Sequence, residues 1–124
     1  MRILIVDDSR MMRALIKRVV VICGIPAADV LEATDGAAAL AILERDEIDL
    51  LLTDIHMPVM TGLELLEKLA VEPRWAALTR VVISTDGSAA RRLDVERCGV
   101  RCYLEKPFSP EVMRDILEDV TARP

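Results

Sequence analysis

The stretch ILIVDDSR, residues 3–10, runs from four apolar residues straight into two adjacent carboxylates. An unbroken apolar run of this length, without polar alternation, reads as a strand buried on both faces. Asp7 and Asp8 then stand at the end of a buried segment, where two unit charges about 4 Å apart cost on the order of 4 kcal/mol in a protein-like medium. Something has to offset that repulsion. The pattern returns at IDLLLTD, residues 48–54, a second apolar strand that stops on an acid, Asp54.

Working outward from these two strands, the chain alternates regularly. Residues 10–24 carry apolar positions at helical spacing, with Ser9 suited to cap the start and Gly24 the end. A short strand at 29–33, a turn at 34–36 and an alanine-rich helix at 37–45 precede the second acid-terminated strand. HMPVMTG, 56–62, reads as a loop, because Pro58 pushes Met57 towards extended geometry and Gly62 relaxes the backbone. A helix at 63–70, a strand at 80–84, a turn at 85–88 and a helix at 89–99 follow. The fifth strand and its exit loop lie within 100–108, and 109–120 opens with a serine cap, a proline at the first helical position and Glu111 in the first turn. Five successive βα units imply an α/β fold with a parallel sheet and helices on both faces, because parallel neighbours need crossover connections that run right-handed.

Composition narrows the function classes. A chain of 124 residues, 52% of them hydrophobic, suits one domain spanning residues 1–124 with a real core. Its apolar runs are too short to span a membrane, and the N-terminus lacks the order of a signal peptide, so a cytoplasmic location is expected. The net charge of −5, with dispersed acids, argues against direct nucleic-acid binding. Aromatic residues make up only 2%, Trp75, Tyr103 and Phe108, too few for a base-stacking platform. Cys23, Cys98 and Cys102 have no zinc-site spacing and cannot all pair within one chain, so reduced structural thiols are expected.

Ligands of such sheets bind beyond the carboxyl ends of the strands. There the sequence places Asp7 and Asp8 after the first strand, Asp54 after the third, Ser84 after the fourth and Lys106 shortly after the fifth. Singly, each has an ordinary structural reading: a helix-capping acid, a turn residue, a loop hydroxyl, a solvated lysine. Together they make a pocket. A divalent cation would reverse the repulsion among Asp7, Asp8 and Asp54, and oxygen-only ligands with retained water favour Mg²⁺ over Ca²⁺.

The ordered set of VDDS, TDIHMPVMTG, VVIS and YLEKPF resembles the receiver domain of two-component response regulators of the chemotaxis-regulator type, over essentially the whole chain. The resemblance implies a doubly wound, flavodoxin-like sheet of five parallel strands in order 2-1-3-4-5 flanked by five helices. It implies that Asp54 is the phosphoacceptor, that Asp7 and Asp8 join it around Mg²⁺, and that Ser84 and Lys106 contact the phosphoryl group. The donor would be a phosphohistidine on a histidine kinase or histidine phosphotransfer protein, and the chain would be a signalling domain rather than an enzyme. Ser84 and Tyr103 correspond to the switch pair, with the fourth helix, fifth strand and fifth helix as the output face towards an unknown downstream protein. Arg91, Arg92, Arg97 and Arg101 form a basic cluster there. Kinase docking is expected at the first helix, where Met11, Met12 and Leu15 offer apolar contacts, and at the loop 107–110. A cis Lys106–Pro107 bond and a monomer, or a dimer formed on phosphorylation, are also expected.

Three positions depart from the family pattern. Thr85 stands where a smaller residue is usual and is expected to narrow access to Asp54; the spacing to Lys106 favours Ser84 over Thr85 as the functional hydroxyl. His56 and Asp86 lie two residues beyond Asp54 and Ser84, on the expected path of the hydrolytic water, so they either tune the phosphoryl lifetime or are plain loop residues. A phosphatase with an aspartyl intermediate on the first strand would need a D-x-D pattern, whereas Asp7 and Asp8 are adjacent. A receiver-fold interaction module acting without phosphorylation is the alternative. The closing TARP leaves room for either a free-standing regulator or an excised receiver.

Overall fold

In the computed structural model, which describes residues 1–122, the apolar run after Arg2 forms strand β1 (Ile3–Val6), and every side chain in it is buried. Its residues alternate between two cores. Leu4 and Val6 enter one cluster with Leu51, Leu65, Leu66, Leu69 and Val82, while Ile3 and Ile5 enter the other with Leu50, Leu52, Ile83, Met113 and Ile116. A sheet with a core on each face explains why strand residues that would alternate polar and apolar in a half-exposed sheet are apolar throughout.

The remaining elements follow in strict alternation: α1 (Arg10–Ile22), β2 (Val30–Ala33), α2 (Gly36–Arg45), β3 (Leu50–Thr53), α3 (Gly62–Ala70), β4 (Thr79–Ser84), α4 (Ala89–Glu96), β5 (Cys102–Glu105) and α5 (Pro110–Thr121). All strand pairs are parallel, and the order is β2-β1-β3-β4-β5, as the resemblance implies. Helices α1 and α5 cover one face through Ile16, Val20, Met113, Ile116 and Leu117. The others cover the opposite face through Ala39, Leu43, Leu65, Leu66, Leu69 and Val95. Because β1 pairs with both β2 and β3, its two neighbours' connections leave on opposite faces, and a crevice opens between the carboxyl ends of β1 and β3. Asp7, Asp8 and Asp54 stand at that crevice.

Side-chain caps set the helix starts. Ser9, Asp35, Thr61, Ser88 and Ser109 each accept a hydrogen bond from a backbone N–H in the first turn. Thr61 and Glu64 complete a capping box. Two helices end earlier than their apolar periodicity suggests. Helix α1 stops at Ile22 and α4 at Glu96, because Gly24 and Gly99 lie past the ends with φ of 107° and 76°, values that terminate a right-handed helix. Strand β2 begins at Val30, since residues 27–29 close a 3-10 turn in which Pro26 accepts from the Asp29 N–H. Gly62 is required by contact: a Cβ there would lie 1.9 Å from the Asp54 carbonyl oxygen, so only glycine lets α3 start against the end of β3.

Arg80, the second residue of β4, is buried. Its guanidinium donates to the carbonyls of Trp75 (2.8 Å), Cys98 (3.1 Å) and Leu69 (3.5 Å). Those oxygens close α3, the 3-10 turn at 73–75 and the turn after α4, so one cation faces three negative helix ends. Burial pulls its pKa below the ordinary arginine value, partly opposed by Cys98.

Two outcomes follow from the backbone and the clamp. Arg80→Met should lower unfolding stability by about 2 kcal/mol in urea denaturation, because donors to three buried carbonyls are lost; unchanged stability would show that the guanidinium does not brace the helix ends. Val59 adopts a φ of 68° in the loop before α3 and is exposed, so a β-branched residue sits in the left-handed region. Val59→Asn should raise stability by about 1 kcal/mol, measured the same way; no gain would mean that the loop holds no such strain.

Candidate functional site

The crevice collects side chains from four strand ends. Asp7 is 1% exposed, and its Oδ1 accepts the Ser9 N–H at 2.8 Å, which ties the carboxylate to the start of α1. Asp54 turns out of β3 with Oδ1 accepting the Ile55 N–H at 2.6 Å. Asp8 is exposed at the rim. Carboxylate oxygens of Asp7, Asp8 and Asp54 all lie within 4.8 Å of one another.

Lys106 reaches into this cluster from beyond β5. Its Nζ lies 2.8 Å from Asp7 Oδ2 and 3.0 Å from Asp54 Oδ2, with its side chain only 9% exposed. Burial opposes the ammonium charge, but the hydrogen bonds and charges of Asp7 and Asp54 outweigh it and push the Lys106 pKa above its ordinary value. The Lys106 N–H donates to the Ser84 carbonyl at 2.8 Å, and the Lys106–Pro107 bond is cis, as the resemblance implies.

One ammonium against three carboxylates leaves a surplus of negative charge, so Lys106 answers only part of the repulsion raised by the sequence. The donor set is oxygen only, with one exposed member. Such a set fits a hard divalent cation that keeps water ligands.

Ser84 is fully buried at the end of β4, and its Oγ accepts the Asp86 N–H at 3.1 Å. Thr85, the neighbouring hydroxyl, is exposed and lines an apolar groove of about 390 Å³ beside Lys106 with Met12, Leu15, Val19, Pro107, Phe108 and Pro110. Burial thus separates the two hydroxyls that sequence spacing left adjacent. Across the crevice, His56 Nε2 meets Asp86 Oδ2 at 2.8 Å. Hydrogen bonds from His56 first, then from Ser88, hold the Asp86 carboxyl well below the usual carboxylate range.

Tyr103 donates its hydroxyl to the Asp86 carbonyl, so its ring is turned to the β4–α4 loop. Burial raises the phenol's pKa, the Asp86 charge adds to this, and Ser84, Arg92 and Arg91 oppose it. The basic cluster read from the sequence is largely matched by acids: Arg91 faces Asp86 and Asp94, Arg92 faces Glu105, and Arg101 pairs with Asp119. Glu105 and Asp119 are distant in sequence from Arg92 and Arg101, which is why those two arginines looked unopposed. Arg13 was not anticipated either. Its NH1 donates to the Asp7 carbonyl at 2.6 Å while Nε pairs with Glu32 at 3.1 Å, bracing the acid pair from α1. Its place four residues after the Ser9 cap, facing back along the helix, was the available signal.

Comparison with known proteins agrees with this arrangement. The family model described as "Response regulator receiver domain" matches residues 3–118. The "Chemotaxis protein CheY homolog" of Campylobacter jejuni is 39% identical over 121 residues, covering 97% of this chain and 92% of the relative. "Chemotaxis protein CheY1" of Helicobacter pylori is 37% identical, with 97% and 96% covered. Among solved structures, the chemotaxis response regulator CheY4 of Vibrio cholerae superposes with a TM-score of 0.84 at 28% identity, covering 96% of this chain and 97% of that one. The chain belongs to the response regulator receiver domain family and is CheY-like.

Proposed function

We propose that this domain receives a phosphoryl group on Asp54 from a phosphohistidine of a histidine kinase or histidine phosphotransfer protein, and passes the change to a downstream protein. The observation that carries the reading is Lys106 bridging Asp7 and Asp54 at 2.8 and 3.0 Å inside a three-carboxylate cluster. In the transfer, the donor's P–N bond breaks as an Asp54 oxygen forms a P–O bond, giving an acyl phosphate and a neutral histidine after protonation. A carboxylate is a weak nucleophile, but phosphoryl transfer depends mainly on alignment and charge neutralisation.

Asp7, Asp8 and Asp54 would hold Mg²⁺, which supplies positive charge to the phosphoryl oxygens. Both Asp54 oxygens already accept hydrogen bonds, from Ile55 N–H and Lys106. Lys106 therefore exchanges the carboxylate for a phosphoryl oxygen as the new bond forms. Ser84, drawn to the same group, gives up its contact with the Asp86 N–H and so disturbs the loop that carries Tyr103. That sequence transmits the charge to the α4–β5–α5 face. Hydrolysis of the acyl phosphate resets Asp54, with His56 and Asp86 covering the approach of water and Thr85 narrowing it from the groove side.

Docking of the donor fits the surface of α1 and residues 107–110. Met11 is 83% and Leu15 50% exposed there, next to the apolar groove. No helix among the described residues is long and apolar enough to cross a membrane. The reading places the protein in the cytoplasm as one receiver unit, acting as a signalling domain rather than a turnover enzyme.

Incubation with acetyl phosphate and Mg²⁺ should add one phosphoryl mass to the protein and none to Asp54→Asn; an unmodified wild type would instead favour a receiver-fold interaction module that works without phosphorylation. Asp8→Asn, which removes one of the repelling charges, should raise thermal stability without metal by about 1 kcal/mol and abolish the further rise that Mg²⁺ gives the wild type. Retention of that Mg²⁺ effect would exclude Asp8 as a ligand. His56→Ala should speed loss of the phosphoryl group by exposing the Asp54 side of the crevice, and equal dephosphorylation rates would remove His56 from the mechanism.

A further inference from the structure

Arg92 on α4 touches the one aromatic ring that links the output face to the crevice. Its guanidinium carbon lies 4.5 Å from the centroid of the Tyr103 ring, and its NH2 is 3.4 Å from Glu105 Oε1. Tyr103 in turn donates to the Asp86 carbonyl, and Asp86 meets Ser84 through its N–H and His56 through its carboxylate. Glu105 is held against the same loop: a Cβ on residue 87 would fall 1.9 Å from Glu105 Oε1, so Gly87 makes the room its carboxylate occupies.

The side chains of Arg92 and Glu105 are 44% and 55% exposed, and an ion pair that open contributes little on its own. Its physical effect is geometric. Glu105 fixes where the guanidinium rests, and the guanidinium attracts the face of the phenol while leaving the hydroxyl edge free to bond the loop. Without that cover, the Tyr103 side chain regains its other staggered rotamers, including those that leave the loop.

We propose that Arg92 and Glu105 are positioning residues that clamp Tyr103 onto the β4–α4 loop and so bias the switch towards its phosphorylated arrangement. This second half rests on the phosphoacceptor reading of Asp54. Linkage makes the effect reciprocal: a clamp that favours the arrangement induced by the phosphoryl group also tightens the pocket's hold on a phosphoryl mimic.

Tyr103 is the only tyrosine in the chain, so labelling with 3-fluorotyrosine gives a fluorine resonance that reports this ring alone. In ligand-free protein, Arg92→Ala should move the resonance towards the solvent-exposed position, and its affinity for beryllofluoride with Mg²⁺ should fall about two- to fivefold. Gly87→Ala, which displaces the Glu105 carboxylate without touching Arg92 or Tyr103, should shift the resonance in the same direction but less. Arg92→Lys, which keeps a cation over the ring, should restore most of the wild-type position. An unmoved resonance in Arg92→Ala would overturn the clamp, and a moved resonance with unchanged beryllofluoride affinity would overturn its coupling to the pocket. A wild type that fails to bind beryllofluoride would refute the phosphoacceptor reading instead, while the ligand-free spectra would still decide the clamp.

Discussion

The repulsion among three carboxylates at the ends of two neighbouring strands is the constraint that organises this protein. Asp7 and Asp54 are held in place by backbone N–H groups of Ser9 and Ile55, so neither acid can relieve the strain by swinging away. Lys106 is the one ammonium placed between them, and it arrives from the far side of the sheet, beyond β5. The crevice is therefore stable enough to fold and still short of positive charge. On the proposed reading, that deficit would draw a divalent cation to the site, and the cation's charge would then accommodate a phosphoryl group.

The fold serves this arrangement in two ways. Strand pairing sets the crevice, because the sheet order changes direction at β1 and leaves the carboxyl ends of β1 and β3 uncovered by a crossover. Close approach then fixes the walls, with Gly62 allowing α3 to begin against the Asp54 carbonyl. On the other side Asp86 ties the end of β4 to His56 and Tyr103. One loop residue thus touches the buried hydroxyl of Ser84, the imidazole of His56 and the ring-bearing Tyr103 of β5. On the proposed reading, a change at Ser84 passes through Asp86 to Tyr103.

Much of this was legible in the sequence, for identifiable reasons. Apolar runs bounded by acids and serines announce strands that feed capped helices, and their alternation dictates a parallel sheet whose functional residues lie at one edge. Asp7, Asp8, Asp54 and Lys106 were found that way, and the structure brings them together. The features that escaped depend on contacts between distant segments. The strand read from Arg80 onward said nothing of its side chain, which is buried because carbonyls of Leu69, Trp75 and Cys98 converge on it. Arg92 and Arg101 looked like part of a free basic cluster because Glu105 and Asp119 come from other elements. Gly24 was read as the cap that ends α1 and does close it from just past Ile22, whereas the helix read as reaching residue 99 stops at Glu96, short of Gly99.

The central claim is that one pocket joins metal, phosphoryl group, hydroxyl and ammonium. A crystal structure grown with Mg²⁺ and beryllofluoride tests it most directly. The account requires beryllium on an Asp54 oxygen, Mg²⁺ against Asp7, Asp8 and Asp54, and fluorines facing Lys106 Nζ and Ser84 Oγ. Beryllofluoride bound elsewhere, or Lys106 still paired with Asp54 while Ser84 remains on the Asp86 N–H, would contradict it.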